Sequence, residues 1–227
     1  MKLATLSTGQ KRLLERFTET GGVIDFILFD CVEDTSKYQI HHKAVILGFK
    51  ELQRRCSEYA KQSSKEHGYP IGNYFRITID EDAARSLRPV QISWVEFLGA
   101  RYDHERNGLI VRGKGDFLNS FFFYTDPAKK RNIIPSEEID YGIGTGFAYA
   151  FSSPPYSIQL SADDLGELFD KFLNFIICGS SDSIIYQWPT NWSNYFEAGD
   201  EWWGSFLWSV SNPDNNQIVV IAASTTD

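Results

Sequence analysis

The chain has 227 residues and a formal net charge of −8 at pH 7. Its content of 42% hydrophobic and 15% aromatic residues is ample for a packed core and excludes a disordered protein. No window approaches the roughly twenty apolar residues of a membrane span, and the first segment lacks the apolar core of a signal peptide. Three distant cysteines, Cys31, Cys56 and Cys178, are typical of free thiols. We therefore expect a soluble, cytoplasmic protein without a membrane partner.

Charge is divided unequally along the chain. Residues 1–131 contain 21 basic and 17 acidic residues, whereas residues 132–227 contain one basic residue, Lys171, and 13 acidic ones. Such an acidic part repels nucleic acid and anionic membranes and attracts a basic partner. A basic helix face near 43–61 favours nucleic acid, but the isoelectric point of about 5.1 argues against it. A surface that only aids solubility would have the same composition, so both interpretations stay open.

In the first half of the chain, Thr8 is predicted to cap a short amphipathic helix that ends at Gly21 and Gly22. A strand is predicted to follow at 23–31. Apolar residues spaced three and four apart between Val45 and Tyr59 predict a helix that runs to about residue 64. Further strands are predicted at 74–80, 90–98, 108–115 and 117–126.

In the second half, two prolines and three glycines within 126–146 predict a long loop or a subdomain boundary. A strand is predicted from Phe147 until the prolines at 154 and 155. Ser161 is then predicted to cap a helix over 161–177. A strand at 183–189 and a hairpin formed by 203–210 and 217–223 complete the chain.

These elements predict the fold class. Few strands are separated by regular helices, which argues against a doubly wound α/β fold. We expect a single α+β domain, residues 1–227, with a mainly antiparallel sheet, two substantial helices near 43–62 and 161–177, and a buried C-terminal β-hairpin.

No motif predicts catalysis. His41 and His42 are adjacent, so they would point apart and could not bind one metal ion from one element. His104 lies in a polar connection where a solvated side chain is the usual case. The glycines within 142–146 lack the lysine of a phosphate-binding loop and are predicted to precede a strand, whereas a dinucleotide-binding fingerprint opens a helix. We therefore predict no catalytic residues, no metal and no cofactor.

The stretch from Tyr195 to Ala223 contains three of the six tryptophans, four carboxylates and no basic residue. Strand alternation predicts that Trp208 faces the core and that Trp202 and Trp203 point to opposite sides, so one of them lies at the surface. Exposed aromatic residues beside unneutralised carboxylates are typical of protein-binding sites. A loop that its aromatic side chains pack onto the sheet is the alternative. The predicted partner-binding residues are Tyr195, Glu197, Asp200, Glu201 and the exposed member of Trp202 and Trp203.

The last thirty or so residues also carry a recognisable pattern. It runs F-x-x-G-x-E-W-W-G-x-x-x-W, from Phe196 to Trp208, and continues from Ile218 to Asp227. This pattern resembles the ending of bacterial immunity proteins of polymorphic toxin systems. The resemblance implies a cytosolic, often acidic α+β protein that occludes a basic toxin domain. The leading expectation is therefore an immunity protein that neutralises a basic toxin. A small hydrolase or transferase with an unrecognised site is the main alternative, and a structural or regulatory scaffold is a third.

Overall fold

The structure is a computed structural model that describes residues 1–32, 34–68, 76–112, 133–136, 144–200, 203–212 and 216–225. Nine strands are described: β1 (Lys2–Leu3), β2 (Ile24–Asp30), β3 (Val90–Ile92), β4 (Tyr102–Asp103), β5 (Gly108–Arg112), β6 (Ile133–Ser136), β7 (Ile184–Gln187), β8 (Ser205–Asn212) and β9 (Gln217–Ser224). Seven α-helices are described: α1 (Thr8–Glu19), α2 (Tyr38–His67), α3 (Glu81–Arg85), α4 (Trp94–Leu98), α5 (Phe147–Ser152), α6 (Ala162–Phe172) and α7 (Glu197–Asp200).

Six strands form one antiparallel sheet in the order β1-β2-β9-β8-β7-β3. A second sheet has the order β4-β5-β6, and its β5 and β6 are parallel. The prediction of an α+β fold with a mainly antiparallel sheet is thus confirmed. None of the helices in the described part of the chain is long and apolar enough to span a membrane.

The predicted C-terminal hairpin is present, and it lies in the middle of the six-stranded sheet. Its strands pair from Ser205 and Ser224 to Asn212 and Gln217, and β2 covers the other side of β9. All of β9 from Ile218 to Ala223 is buried. A strand that faces water on one side would alternate in burial, so helices must cover both faces of this sheet.

The first face is covered by α1, α4, α5 and α6. It carries one cluster of buried apolar side chains, which includes Phe17, Phe26, Phe97, Phe147, Phe151, Phe169, Phe172 and Trp208. The second face is covered mainly by α2 and carries a second cluster, which includes Ile27, Phe29, Val45, Phe49, Leu52, Trp192, Phe196, Leu207 and Val220. Side chains of β8 alternate between the two clusters, so Trp208 belongs to the core, as predicted, and is 2% exposed.

The two predicted long helices are confirmed. In α2 the buried residues Ala44, Val45, Gly48, Phe49 and Leu52 recur at helical spacing. The helix begins and ends several residues beyond the predicted span. The Ser161 side chain caps α6 by accepting from the Asp164 amide, and residues 173–177 continue the helix as a π-helical turn.

Three local predictions were wrong. Ser7, rather than Thr8, caps α1 through a capping box with Gln10. The predicted strand 90–98 ends at Ile92 and becomes helix α4, because Ser93 and Glu96 form a second capping box. The predicted strand from residue 147 is helix α5, so the glycines before it open a helix, with Gly146 at its N-cap.

Other predictions were only partly testable. Of the described residues 76–80, Ile79 alone forms a bridge, and its partner is Ser193; residues 74 and 75 lie outside the described part of the chain. The predicted strand at 117–126 lies outside the described residues. Of the predicted loop 126–146, residues 133–136 form β6 and residues 144–146 precede α5.

Candidate functional site

The residues predicted to bind a partner surround α7, Glu197–Asp200, which we call the acidic turn. It follows a 3₁₀ turn, Asn194–Phe196, and precedes β8. It therefore lies at the end of the sheet where β2 and β8 begin and β9 ends, which we call the acidic end. Glu201 and Trp202 lie outside the described residues.

Buried aromatic side chains hold the chain before the acidic turn. Phe196 is 1% exposed and packs against Phe49 of α2, with ring centroids 5.4 Å apart. Trp192 is also buried against Phe49, and its Nε1 donates to the carbonyl of Pro189 at 2.8 Å. These contacts fix the entry to the acidic turn on the second face of the sheet.

Trp203 holds the chain after the turn, on the opposite face. Its side chain is 3% exposed, and its Nε1 donates to the carbonyl of Ser153 at 2.6 Å. Its ring stacks on Tyr149, whose hydroxyl donates to the Trp203 carbonyl. Trp203 is therefore a buried anchor and is not available for direct contact with a partner. It is not the exposed tryptophan that was predicted to bind one.

Backbone groups tie the turn to the hairpin. The amide of Gly199 donates to Ser224 Oγ at 3.0 Å, and the amide of Gly204 donates to the Gly199 carbonyl at 2.7 Å. A Cβ atom at Gly199 would collide with the carbonyl oxygen of Gly204. The position requires glycine because the two backbone segments approach so closely.

The two described carboxylates of the turn face solvent. Glu197 and Asp200 are both exposed. Among the described residues, neither forms an ion pair. The geometry thus presents two exposed carboxylates, unpaired with any basic side chain that the structure describes, on a turn that is fixed from both sides.

Tyr195 has a different environment from the one predicted. It is half-buried, and its hydroxyl lies 2.8 Å from Asp25 Oδ2 and 3.2 Å from the carbonyl oxygen of Ala222. Burial, followed by the nearby Asp25 carboxylate, raises the pKa of Tyr195 well above its ordinary value. The hydroxyl is therefore always a donor and is engaged within the molecule, so it is not free at the rim of a binding surface.

Asp25 was not singled out by the sequence patterns. Burial raises the pKa of this carboxyl, and the hydrogen bond from Tyr195 and the charge of Arg55 only partly oppose that effect. The signal in the sequence was its place in the otherwise apolar strand V-I-D-F-I-L-F. Its partner, 170 positions away, could not be inferred from that pattern.

Two consecutive arginines of α2 form ion pairs with a glutamate of the same helix. Arg54 and Arg55 both donate to Glu51, with the closest contact of each at 2.7 Å and 2.8 Å. Chiefly through the hydrogen bonds from Arg54, the pKa of Glu51 falls to about 2. The basic helix face near 43–61 is therefore partly neutralised within the helix itself.

His41 is buried between α2 and the second face of the sheet. Its Nε2 lies 3.0 Å from the Thr35 carbonyl oxygen, which can only accept, so Nε2 carries the hydrogen. Its Nδ1 then accepts from the Ser209 hydroxyl at 2.8 Å, and Ser209 Oγ accepts from Trp188 Nε1. Burial lowers the pKa of His41 to about 4. This neutral, fully bonded side chain is part of the structure of the core.

The other histidines form no described metal centre. His42 Nε2 lies 2.8 Å from the carbonyl oxygen of Ala84, and the His104 ring meets Tyr102 edge to face at 5.1 Å. No three His, Cys, Asp or Glu side chains in the described part of the chain are arranged to hold a metal ion.

Comparison with known proteins gives no relative: no protein-family model, no curated protein and no solved structure matches the chain.

A further exposed residue belongs to the acidic end. The segment 153–157 lies in the connection from α5 to α6. Its first residue, Ser153, accepts the hydrogen bond from Trp203 through its carbonyl. Gln159 just beyond it donates to the carbonyl of Thr20, near the start of β2. Within this segment Tyr156 is 66% exposed. It follows two prolines, which are a local signal for a stiff turn, but the place of this segment at the acidic end depends on tertiary structure.

Proposed function

We propose that the protein is an immunity protein that binds and neutralises a basic bacterial toxin domain through the acidic turn, in the cytoplasm. The observation that carries this proposal is the exposed pair Glu197 and Asp200 on a turn anchored by Phe196 and Trp203. A rigid turn loses little conformational freedom on binding, so more of the interaction energy is retained as affinity. The resemblance of the C-terminal pattern to immunity proteins also supports the proposal.

The charge distribution supports the choice of partner. Beyond Lys171, the chain contains no basic residue. A surface of one sign attracts a partner of the opposite sign and disfavours others of its own sign. A basic protein domain fits this surface, whereas nucleic acid, which is itself anionic, does not.

Tyr156 supplies the aromatic contact in this proposal. Interfaces combine aromatic anchors with charged rims, and arginine side chains stack favourably on exposed aromatic rings. Because Tyr195 and Trp203 are engaged internally, Tyr156 is the described aromatic residue at the acidic end that a partner can reach. Trp202 stays part of the proposed surface on the basis of the sequence alone.

The test takes the protein encoded by the neighbouring open reading frame as the candidate toxin domain. Cells that express this domain should survive only when the protein is co-expressed, and the two should co-purify. The double variant Glu197→Lys, Asp200→Lys should lose protection and bind the toxin at least about tenfold more weakly, because close charge pairs at an interface contribute about 1.5 kcal/mol or more. Exposed charge changes seldom alter stability by more than about 0.5 kcal/mol, so thermal melting should be preserved.

Matched controls are available at the opposite end of the sheet. Asp182 is an exposed carboxylate just before β7, whose start pairs with the far end of β8. Asp182→Lys should leave binding intact. Tyr156→Ala should weaken binding, whereas Phe175→Ala should not, although Phe175 is 58% exposed. The Phe175 carbonyl accepts a hydrogen bond from Gln10. Gln10 lies at the opposite end of α1 from Thr20, and therefore away from the acidic end. If the double charge reversal binds as tightly as the wild type, the acidic turn is only a solvated surface.

A further inference from the structure

A line of basic residues, which we call the basic stripe, runs along the outer side of α2. Its members lie seven, four, seven and four positions apart, and all of them are exposed: Lys43, Lys50, Arg54, Lys61 and Lys65. At 3.6 residues per turn, this spacing places them within about 60° of one another around the helix axis, and at 1.5 Å per residue the stripe is about 33 Å long. Val45, Phe49 and Leu52, which are buried against the sheet, lie on the opposite side of the helix.

Much of the charge of the basic stripe is not neutralised by neighbouring side chains. Arg54 is paired with two glutamates of the same helix, at 2.7 Å and 2.6 Å. Lys50, Lys61 and Lys65, in contrast, form no ion pair with any side chain that the structure describes. The helix therefore presents exposed ammonium groups on a rigid element.

The acidic turn does not neutralise the basic stripe of its own molecule. Phe196, which leads into the turn, contacts Phe49 on the buried side of α2, whereas the stripe points away from the sheet. The exposed carboxylates of Glu197 and Asp200 accordingly form no ion pair with a described basic side chain. Each molecule thus has two separate surfaces of opposite charge.

We propose that the protein self-associates head to tail, so that the basic stripe of one copy binds the acidic turn of the next. Because the stripe and the turn are different surfaces, the interface is heterologous, and further copies can add unless a ring closes. Exposed ion pairs are individually weak and are screened by salt. We therefore expect association that grows with protein concentration and falls as salt is added.

A second copy fits the basic stripe better than nucleic acid does. Duplex DNA carries one negative charge per about 1.7 Å, and residues 132–227, with 13 acidic residues and one basic residue, repel such a polyanion. Two copies with a net charge of −8 also repel each other. At about 0.15 M salt, however, the Debye length is about 8 Å, so repulsion between distant parts of the two molecules is screened. Contacts between the stripe and the turn are shorter than this length and keep their attraction.

Sedimentation velocity of the purified protein tests self-association. At about 0.1 M salt, where the Debye length is about 10 Å, the weight-average sedimentation coefficient should rise with protein concentration. At about 1 M salt, where the Debye length is about 3 Å, it should stay at the value of the monomer. Reversal of the stripe by Lys50→Glu, Lys61→Glu, Lys65→Glu should abolish the rise, and so should reversal of the turn by Glu197→Lys, Asp200→Lys.

A mixture of these two variants tests whether the stripe and the turn contact each other. The reversed stripe of the first variant complements the reversed turn of the second, and the unchanged stripe of the second complements the unchanged turn of the first. An equimolar mixture should therefore regain the association that neither variant shows alone, which would also show that both are folded. As a control, Lys11→Glu, Arg12→Glu changes exposed basic residues of α1, on the first face of the sheet, and should associate like the wild type.

A wild type that stays monomeric at every concentration would overturn the proposal, and so would a mixture of the two variants that stays monomeric. A monomeric wild type that binds a single-stranded oligonucleotide, and loses this binding on reversal of the stripe, would assign the stripe to nucleic acid. These outcomes leave the toxin-binding proposal standing, because no toxin takes part, and failure of the toxin to bind would likewise leave self-association standing. Where both hold, the toxin should dissociate the assembly, a consequence that rests on the function proposed above.

Discussion

His41 shows how a single buried polar side chain can define a conformation. The imidazole joins α2 to β8 and to the Thr35 carbonyl, and both of its nitrogens are bonded. A buried polar group with all its hydrogen bonds costs little, whereas one that loses a partner incurs a desolvation penalty of about 1–3 kcal/mol. Ser209 and His41 therefore fix how the helix lies on an otherwise apolar face.

The lowered pKa of His41 makes stability depend on pH. The folded protein releases the His41 proton at about pH 4, compared with about 6.5 when unfolded, so the unfolded state binds more protons between these values. The free energy of unfolding should therefore fall as the pH drops from about 6.5 to about 4, by up to about 3 kcal/mol from this residue. Urea unfolding at several pH values measures this fall in the free energy of unfolding.

The comparison of variants isolates this contribution from the carboxylates that also titrate in acid. His41→Gln should flatten the curve relative to the wild type over that interval, whereas His42→Gln should retain the wild-type slope. An unchanged slope in His41→Gln would show that the histidine does not titrate with folding.

At the level of single residues, the sequence predicted burial along β8 but not the partner of each side chain. Alternation correctly placed Trp208 in the core, and it required Trp202 and Trp203 to differ. It could not say which of the two is buried, because that depends on Ser153, 50 positions away. The sequence also could not show that the Tyr195 hydroxyl is engaged within the molecule, because its acceptor, Asp25, lies on β2.

At the scale of elements, glycines determine how α4 and α5 meet. The C-cap of α4, Gly99, has φ +74° and the N-cap of α5, Gly146, has φ +87°. A Cβ atom at Gly146 would lie 2.6 Å from Gly99 Cα and 2.7 Å from the Leu98 carbonyl oxygen. Gly146 therefore permits a close backbone crossing with Gly99, which accounts for glycine at these two positions.

Gly146→Ala should be strongly destabilising. A positive-φ backbone such as that of Gly146, with φ 87° and ψ 168°, costs about 1–3 kcal/mol for a residue with a Cβ atom, and overpacking adds about 1–3 kcal/mol. Gly68→Ala is the matched control: its φ is +71°, but nothing lies within 4 Å of the added Cβ atom. Chemical denaturation should show only the conformational cost for Gly68→Ala. It should show the conformational cost and the overpacking cost together for Gly146→Ala. Equal losses would mean that the backbone crossing is loose.

The wrongly predicted elements have a common physical cause. In α5 every residue from Phe147 to Phe151 is buried, so burial shows no helical period, and a short apolar run is then indistinguishable from a strand. For α4 a signal was present, since Ser93 and Glu96 have the spacing of a capping box. The hairpin and the long helices were predictable because their patterns extend over many residues.

At the scale of the whole molecule, the sheet separates the two aromatic clusters and the acidic end joins them. Phe196 anchors the turn in the second cluster and Trp203 in the first. Nothing in a local pattern shows that β8 has helices on both sides, so the sequence alone could not show that Trp203 is buried on the first face. The charge imbalance, by contrast, is a property of composition and could be known in advance.

That imbalance predicts how association with the proposed toxin depends on salt. Residues 132–227 contain 13 acidic residues and one basic one, so long-range attraction should accelerate encounter with a basic domain. The Debye length falls from ~10 Å at 0.1 M to ~3 Å at 1 M ionic strength. The association rate constant measured by stopped-flow should therefore fall by about tenfold or more over this range, while dissociation changes less. Glu197→Lys, Asp200→Lys should show a shallower dependence than Asp182→Lys, because it reverses charge at the contact itself. A rate constant that is insensitive to salt would show that the acidic half does not steer the partner.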